Sequence, residues 1–282
     1  MTDAGTLPDL APLHAWFASY CGSFGSRDME AQRNYDLKEL HTRNVCRDAR
    51  LIARGGAPRF KMLAEVAALC HDLGRFPQYR DFRTFKDSAS KNHAHLSTQV
   101  MRQNSLLDFL PEAERECVEM AVRLHNQFKV PDGLSQYTET LLKLLRDADK
   151  LDIWRVFIEY FDLPEAERAS AAGLDFPDLP SCSKEVLATI GAGEMVQLST
   201  LKSLNDFKLL QLSWVYDINS RSALELVRER AVLDRFAAIL PKDAAVVDVL
   251  ARVREYLDGR LDNGAGEDFP FGSWQETEDS SE

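Results

Sequence analysis

The sequence predicts an all-α fold. Three observations carry that expectation. Apolar residues recur at spacings of three and four nearly throughout the chain, the period of a helix with one buried face. No convincing stretch alternates apolar and polar residues as a half-buried strand would. Glycines and prolines punctuate the periodic stretches where helices start and stop.

A short first helix is expected over about 9–20 and a longer one over about 28–54, ended by Gly55-Gly56. The next spans about 59–73, with Gly74 expected to supply the left-handed residue that ends it. A basic loop follows from Arg75 to Lys91, where Arg75, Arg80, Arg83, Lys86 and Lys91 face only Asp81 and Asp87. Helices then run over about 92–109 and, from Pro111 at a first helical position, to about 128. "PDG" at 131–133 makes a turn, and a long helix covers about 135–161. The stretch 162–182, bearing Pro164, Gly173, Pro177 and Pro180, reads as a loop or crossover. Three further helical segments are expected over about 184–218, 221–239 and 242–260, broken by "GAG" at 191–193 and by Pro241.

The chain has 282 residues, 45% of them apolar, enough for a sizeable core. No apolar run approaches a membrane span, and the N-terminus lacks the basic region of a secretory signal. Cys21, Cys46, Cys70, Cys117 and Cys182 are scattered and odd in number, which reads as reduced thiols in a cytoplasmic protein. Of the net charge of −11, seven negative charges lie in the last 21 residues, which contain no Lys or Arg. The remainder is only mildly acidic, and nothing resembles the basic footprint of a duplex-binding protein.

Ionisable residues fall where apolar ones belong. In "NYDLKELHTRNVCRDARLI", His41 shares a stripe with Leu37, Leu40, Val45 and Ile52. In "AALCHDLGRF", His71 follows Ala67 by four and stands beside Asp72. His125 shares a face with Val118, Ala121 and Val122, and Asp149 continues the line of Leu141 and Leu145. A buried carboxylate without a partner costs several kcal/mol or shifts its pKa until it is neutral. Helices that project His and Asp toward one another are how bundles hold divalent cations, and such a cation balances both carboxylates. His93 lies near the apolar side of its helix, whereas His95 is expected to be exposed and His14 structural.

His41, then His71-Asp72 in "ALCHDLGRF", then Asp149 in "RDADKLD" resemble the HD superfamily of metal-dependent phosphohydrolases. The resemblance implies a helical-bundle domain with His41, His71, Asp72 and Asp149 around a first divalent metal. His93 and His125 are similar to the added ligands of members that hold two metals, with Asp72 bridging. The metal could be Mn, Fe, Mg, Ni, Co or Zn. His71 and Asp72 are then the catalytic centre, and Arg75, Arg80, Arg83 and Lys150 are candidate contacts to the phosphate of a small-molecule substrate, nucleotides included. Two other readings stay open: a di-iron oxygenase, as in the inositol oxygenase branch of the superfamily, and a non-catalytic nucleotide sensor. The expected organisation is an N-terminal helical segment over 1–25, the metal-binding core over 26–161 and a C-terminal elaboration of the same domain over 162–261. A disordered acidic tail over 262–282 completes it.

Overall fold

A computed structural model describes residues 7–164, 167, 169 and 176–262. The described residues hold helices and no strand. The expected acidic tail, from residue 263 onward, lies outside them, as do residues 165, 166, 168 and 170–175 of the crossover expected over 162–182.

The first seven helices are α1 (Ala11–Gly22), α2 (Met29–Ile52), α3 (Pro58–Cys70), α4 (Arg75–Phe82), α5 (His93–Gln103), α6 (Glu112–Leu124) and α7 (Gln136–Asp162). Their starts follow local chemistry. Asp28 caps α2 by accepting from the Glu30 N–H, Asn92 caps α5 through the His95 N–H, and Ser135 caps α7 through the Thr138 N–H. Pro58 opens α3, where a missing N–H costs nothing.

Helix α7 is the axis of the molecule. Leu141, Leu142, Leu144, Leu145, Ala148, Leu151 and Trp154 point to several sides of it and are all buried. On one side it packs against α2, α3 and α6. On the other it meets α10 (Arg221–Glu229) and α11 (Val232–Ile239). The remaining helices are α8 (Lys184–Gly191), α9 (Leu204–Ser213) and α12 (Ala244–Asp262), and one continuous apolar core runs from Leu13 to Leu261. Polar joints fasten the two sides. Asp147 of α7 accepts from the N–H groups of Asn219 and Ser220, and Asp48 of α2 takes both ends of the Arg230 guanidinium at 2.7 Å.

Several expectations need correction. Gly74 is not left-handed: its φ is −67° and ψ −18°. A Cβ there would stand 2.2 Å from the His93 carbonyl oxygen and 2.6 Å from both Leu96 Cβ and Ser97 N, so close approach between backbones demands the glycine. The basic stretch begins as helix α4 and becomes irregular only after Phe82. The segment expected over 184–218 breaks at "GAG" as expected, α8 ending at Gly191, but α9 begins only at Leu204 and gives way to a 3-10 turn at Trp214–Asp217. The segment expected over 221–239 breaks at Ala231, whose φ is 49°. Leu40 is exposed: the buried stripe of α2 runs instead through Tyr35, Thr42, Val45 and Cys46.

The Gly74 contact yields a test. Gly74→Ala must push the start of α5 away from the turn at 71–74. It should cost about 1–3 kcal/mol, the usual range for overpacking, measured by denaturant unfolding.

Candidate metal centre

Five segments deliver the six candidate ligands. His41 lies mid-way along α2, His71 and Asp72 occupy the turn after α3, and His93 opens α5. His125 follows the last residue of α6, and Asp149 faces inward from α7. The structure brings all six together. His41 Nε2 stands 3.1 Å from Asp149 Oδ1 and 3.5 Å from Asp72 Oδ2. His71 Nε2 is 3.7 Å from each of those carboxylate oxygens and 3.3 Å from His41 Nε2. The other oxygen of Asp72 turns away toward His93 Nε2, 3.5 Å off, and His93 Nε2 meets His125 Nε2 at 3.1 Å. Three overlapping triads, His41/His71/Asp72, His71/His125/Asp149 and Asp72/His93/His125, each gather their donor atoms within 4.8 Å.

The outer nitrogens of the four rings decide what this cluster wants. His71 Nδ1 donates to the Ala68 carbonyl and His125 Nδ1 to the Val122 carbonyl, each at 2.7 Å, and a carbonyl can only accept. His93 Nδ1 faces Asp87 at 2.7 Å, and His41 Nδ1 faces Asp152 at 2.7 Å. Each ring thus spends its proton outward and points Nε2 at the centre. Burial pushes the His93 and His125 pKa values down to about 4, so both rings are neutral at pH 7. Two bare lone pairs therefore confront each other across 3.1 Å, a repulsion that a cation turns into coordination. The donor set of four imidazole nitrogens and two carboxylates fits a divalent transition-metal ion.

The carboxylates are prepared in the same sense. Burial raises the pKa of Asp72, but Lys38, His71, Arg75 and His93 outweigh it and hold the group well below the usual carboxylate range. Burial likewise opposes ionisation of Asp149, and its hydrogen bond with His41 overcomes it. His41 is the exception among the rings. Burial and Lys38 press its pKa down, yet the hydrogen bonds to Asp149 and Asp152 raise it to about 9.

Lys38, Asp87 and Asp152 belong to this centre, and the sequence reading misses them. Lys38 Nζ sits 2.7 Å from Asp72 Oδ2, and its place three residues before His41 was the available signal. Asp152, three residues after Asp149, orients His41 and is itself gripped by Arg155 at 2.6 Å. Nothing in the local pattern marks Asp87, which holds His93 and also accepts from Asn126.

The expected phosphate contacts separate. Arg75 lies at the centre, with Nε 3.3 Å from Asp72 Oδ1 and Nη1 donating to the Phe85 carbonyl at 2.6 Å. Lys150 is turned to Asp217, 2.6 Å away, rather than to the six ligands. Arg80 pairs with Asp81, and Arg83 pairs with Asp28 beyond the far end of α4. His95 is exposed, and His14 pairs with Glu65. The Asp149 side chain is 16% exposed whereas those of His41, His71, Asp72 and His93 are 5% or less, so the centre opens beside Asp149.

The HD domain family model matches residues 40–154, the span that contains all six candidate ligands. The chain carries an HD domain. A stretch of 93 residues is 32% identical to the Bacillus subtilis (strain 168) protein named "Putative phosphohydrolase YueE". The match covers 32% of this chain and 52% of that protein, so the chain spans about half the length of the curated relative. No solved structure matches it.

His41 gives the HD centre a pH dependence. With a pKa of about 9 the ring is protonated at pH 7, and a metal can take Nε2 only after that proton leaves. Divalent-ion affinity should therefore rise by up to about tenfold per pH unit as pH approaches about 9. Calorimetry in buffers of different ionisation enthalpy should register close to one proton released per ion taken up at His41. No release would show that His41 enters the site neutral.

Proposed function

We propose that this HD domain is a metal-dependent phosphohydrolase that cleaves a phosphate ester or anhydride of a small molecule, nucleotides among the candidates. The observation that carries the reading is the pairing of an HD donor set with two cations on the same carboxylate: Lys38 on Asp72 Oδ2 and Arg75 on Asp72 Oδ1. The name of the B. subtilis relative points the same way.

A divalent cation supplies Lewis acidity when bound, acidifying water and neutralising phosphate charge. His41, His71 and Asp149 form one end of its cradle, and His93 and His125 the other. Asp72 turns one oxygen to each end, so the six residues would hold up to two ions. Asp152 and Asp87 fix the ring planes of His41 and His93, so the donors need not reorganise. Lys38 and Arg75 flank the ring of Phe85, with their charges 5.2 and 5.8 Å from its centroid. With a cation held at Asp72, Lys38 and Arg75 would be the side chains placed to meet phosphate oxygens. That cationic rim favours an anionic substrate, and it is the ground for placing hydrolysis ahead of an HD-type oxygenase chemistry.

His71→Ala and Asp72→Asn should each abolish metal-dependent turnover while circular dichroism shows the helices intact. The assay is a panel of nucleotides and generic phosphomonoesters offered to metal-loaded protein. Elemental analysis should approach two ions per chain and fall toward one in His125→Ala. Full turnover in either of the first two variants, with metal still bound, would refute the assignment.

Lys38 gives a prediction with opposite signs. Lys38→Met removes a cation that competes with metal for Asp72, so divalent-ion affinity should increase. The same variant loses a charge-assisted phosphate contact typically worth about 1.5–3 kcal/mol, so KM for phosphorylated substrates should rise about tenfold or more. A merely structural lysine would weaken both.

A further inference from the structure

We propose that the cleft between the α1–α2 turn and the C-terminal end of α4 is a second ligand site, built for a phosphate-bearing small molecule. The cleft has a volume of about 380 Å³ and is walled by Ser23, Phe24, Ser26, Tyr35, Arg80 and Arg83. That volume lies at the low end of the ~300–1,000 Å³ typical of small-molecule sites.

The wall is selectively cationic. Arg80 spends Nε and Nη2 on Asp81, and Arg83 spends Nη2 on Asp28, yet neither aspartate lines the cleft. Arg80 Nη1 and Arg83 Nε and Nη1 thus remain as donors with no partner among the described residues. Both guanidiniums are braced on aromatic faces, Arg80 over Phe24 and Arg83 over Tyr79. Arg83 also holds φ 55° at the end of α4, a conformation glycine or asparagine would adopt more cheaply.

Tyr35 is the independent pointer to a ligand. Its side chain is packed among Phe24, Phe76 and Tyr79 and the residue is only 6% exposed. Its hydroxyl has no hydrogen-bond partner among the described residues, and the residue is part of the cleft wall. Burial raises its pKa against the pull of Arg83 and Arg80, so the hydroxyl keeps its proton and can donate. Ser26 accepts from the Asp28 N–H, which leaves its own proton free. Guanidinium forks with hydroxyl donors suit the tetrahedral oxygens of a phosphate, and the rings of Phe24 and Tyr35 give an apolar face to its organic part.

The site stands apart from the metal centre. Arg75, which touches Asp72, and Arg83 lie at opposite ends of α4, about 12 Å apart at 1.5 Å per residue. None of the six ligands lines the cleft.

Equilibrium dialysis of the metal-loaded full chain with inorganic phosphate tests the assignment. In an Asp72→Asn background, which cripples the metal centre, one phosphate per chain should still bind. Adding Arg80→Gln and Arg83→Gln should weaken that binding at least about tenfold, as expected for loss of charge-assisted contacts. Tyr35→Phe should weaken it severalfold while leaving the helical signal unchanged. The proposal is overturned if phosphate binding disappears with Asp72→Asn alone, or if it ignores the two arginines. Neither result would bear on hydrolysis at the metal centre, which the turnover assay reads separately.

Discussion

The confrontation of imidazole lone pairs organises this molecule. His93 and His125 present bare Nε2 atoms to each other at 3.1 Å because both Nδ1 protons are already committed outward. Such an arrangement has no stabilising content of its own: it removes two acceptors from water and sets them against one another. It persists because the rest of the fold overdetermines it. His125 is pinned through Val122 one turn back, and His93 through Asp87, which Arg75, Gln78 and Asn126 also hold. The cluster is therefore held in an arrangement that a bound divalent cation would relax, and its binding energy would add to folding energy.

The same constraint explains local features that would otherwise look arbitrary. His71 and Asp72 lie in a turn past the end of α3, where the chain can send adjacent side chains to one point. That turn approaches α5 so closely that Gly74 admits no Cβ, and Ser97 closes the gap by accepting from the Gly74 N–H and donating to the His71 carbonyl. A single serine hydroxyl thus ties together the backbones that carry His71 and His93. Loss of close contact there would separate the two ends of the ligand set.

How much of this is legible in the sequence depends on the range of the interaction. His41, His125 and Asp149 sit on apolar helical stripes, and a polar residue at such a position is visible within a few turns of sequence. His71-Asp72 stands out for the same reason, and the helical class follows from periodicity alone. Asp87 and Asp152 do not stand out, because a carboxylate near a helix surface looks solvated until its partner is known. Asp152 meets a histidine 111 residues away. The start of α4 is equally opaque. Charged residues and Pro77 obscure its period, while what fixes it is the packing of Phe76 and Tyr79 against rings of α1 and α2. Arg80 and Arg83 resemble Arg75 in a one-dimensional reading, and only the length of α4 places them at its other end.

The helices after α7 acquire a role through the buried polar face they cover. Arg146 donates to the carbonyls of His125, Gln127 and Phe128, fixing the turn that begins at His125, and its remaining charge is met by Asp217 at 2.5 Å. Asp217 also takes Lys150, and Asp147 takes the backbone of Asn219 and Ser220. Without the 217–220 segment, two cations and one carboxylate of α7 would lose their principal partners, and unpaired buried charge is among the costliest defects a core can carry. Burial raises the Asp147 pKa even against Lys150 and the hydrogen bonds from Asn219 and Ser220, as follows from a carboxylate shut away from water. The C-terminal helices thus cover the polar face formed by Arg146, Asp147 and Lys150 of α7, and through Arg146 they reach the backbone of His125. One helix therefore carries both the inward-facing Asp149 carboxylate and, three residues before it, the arginine that holds the backbone of His125 in place.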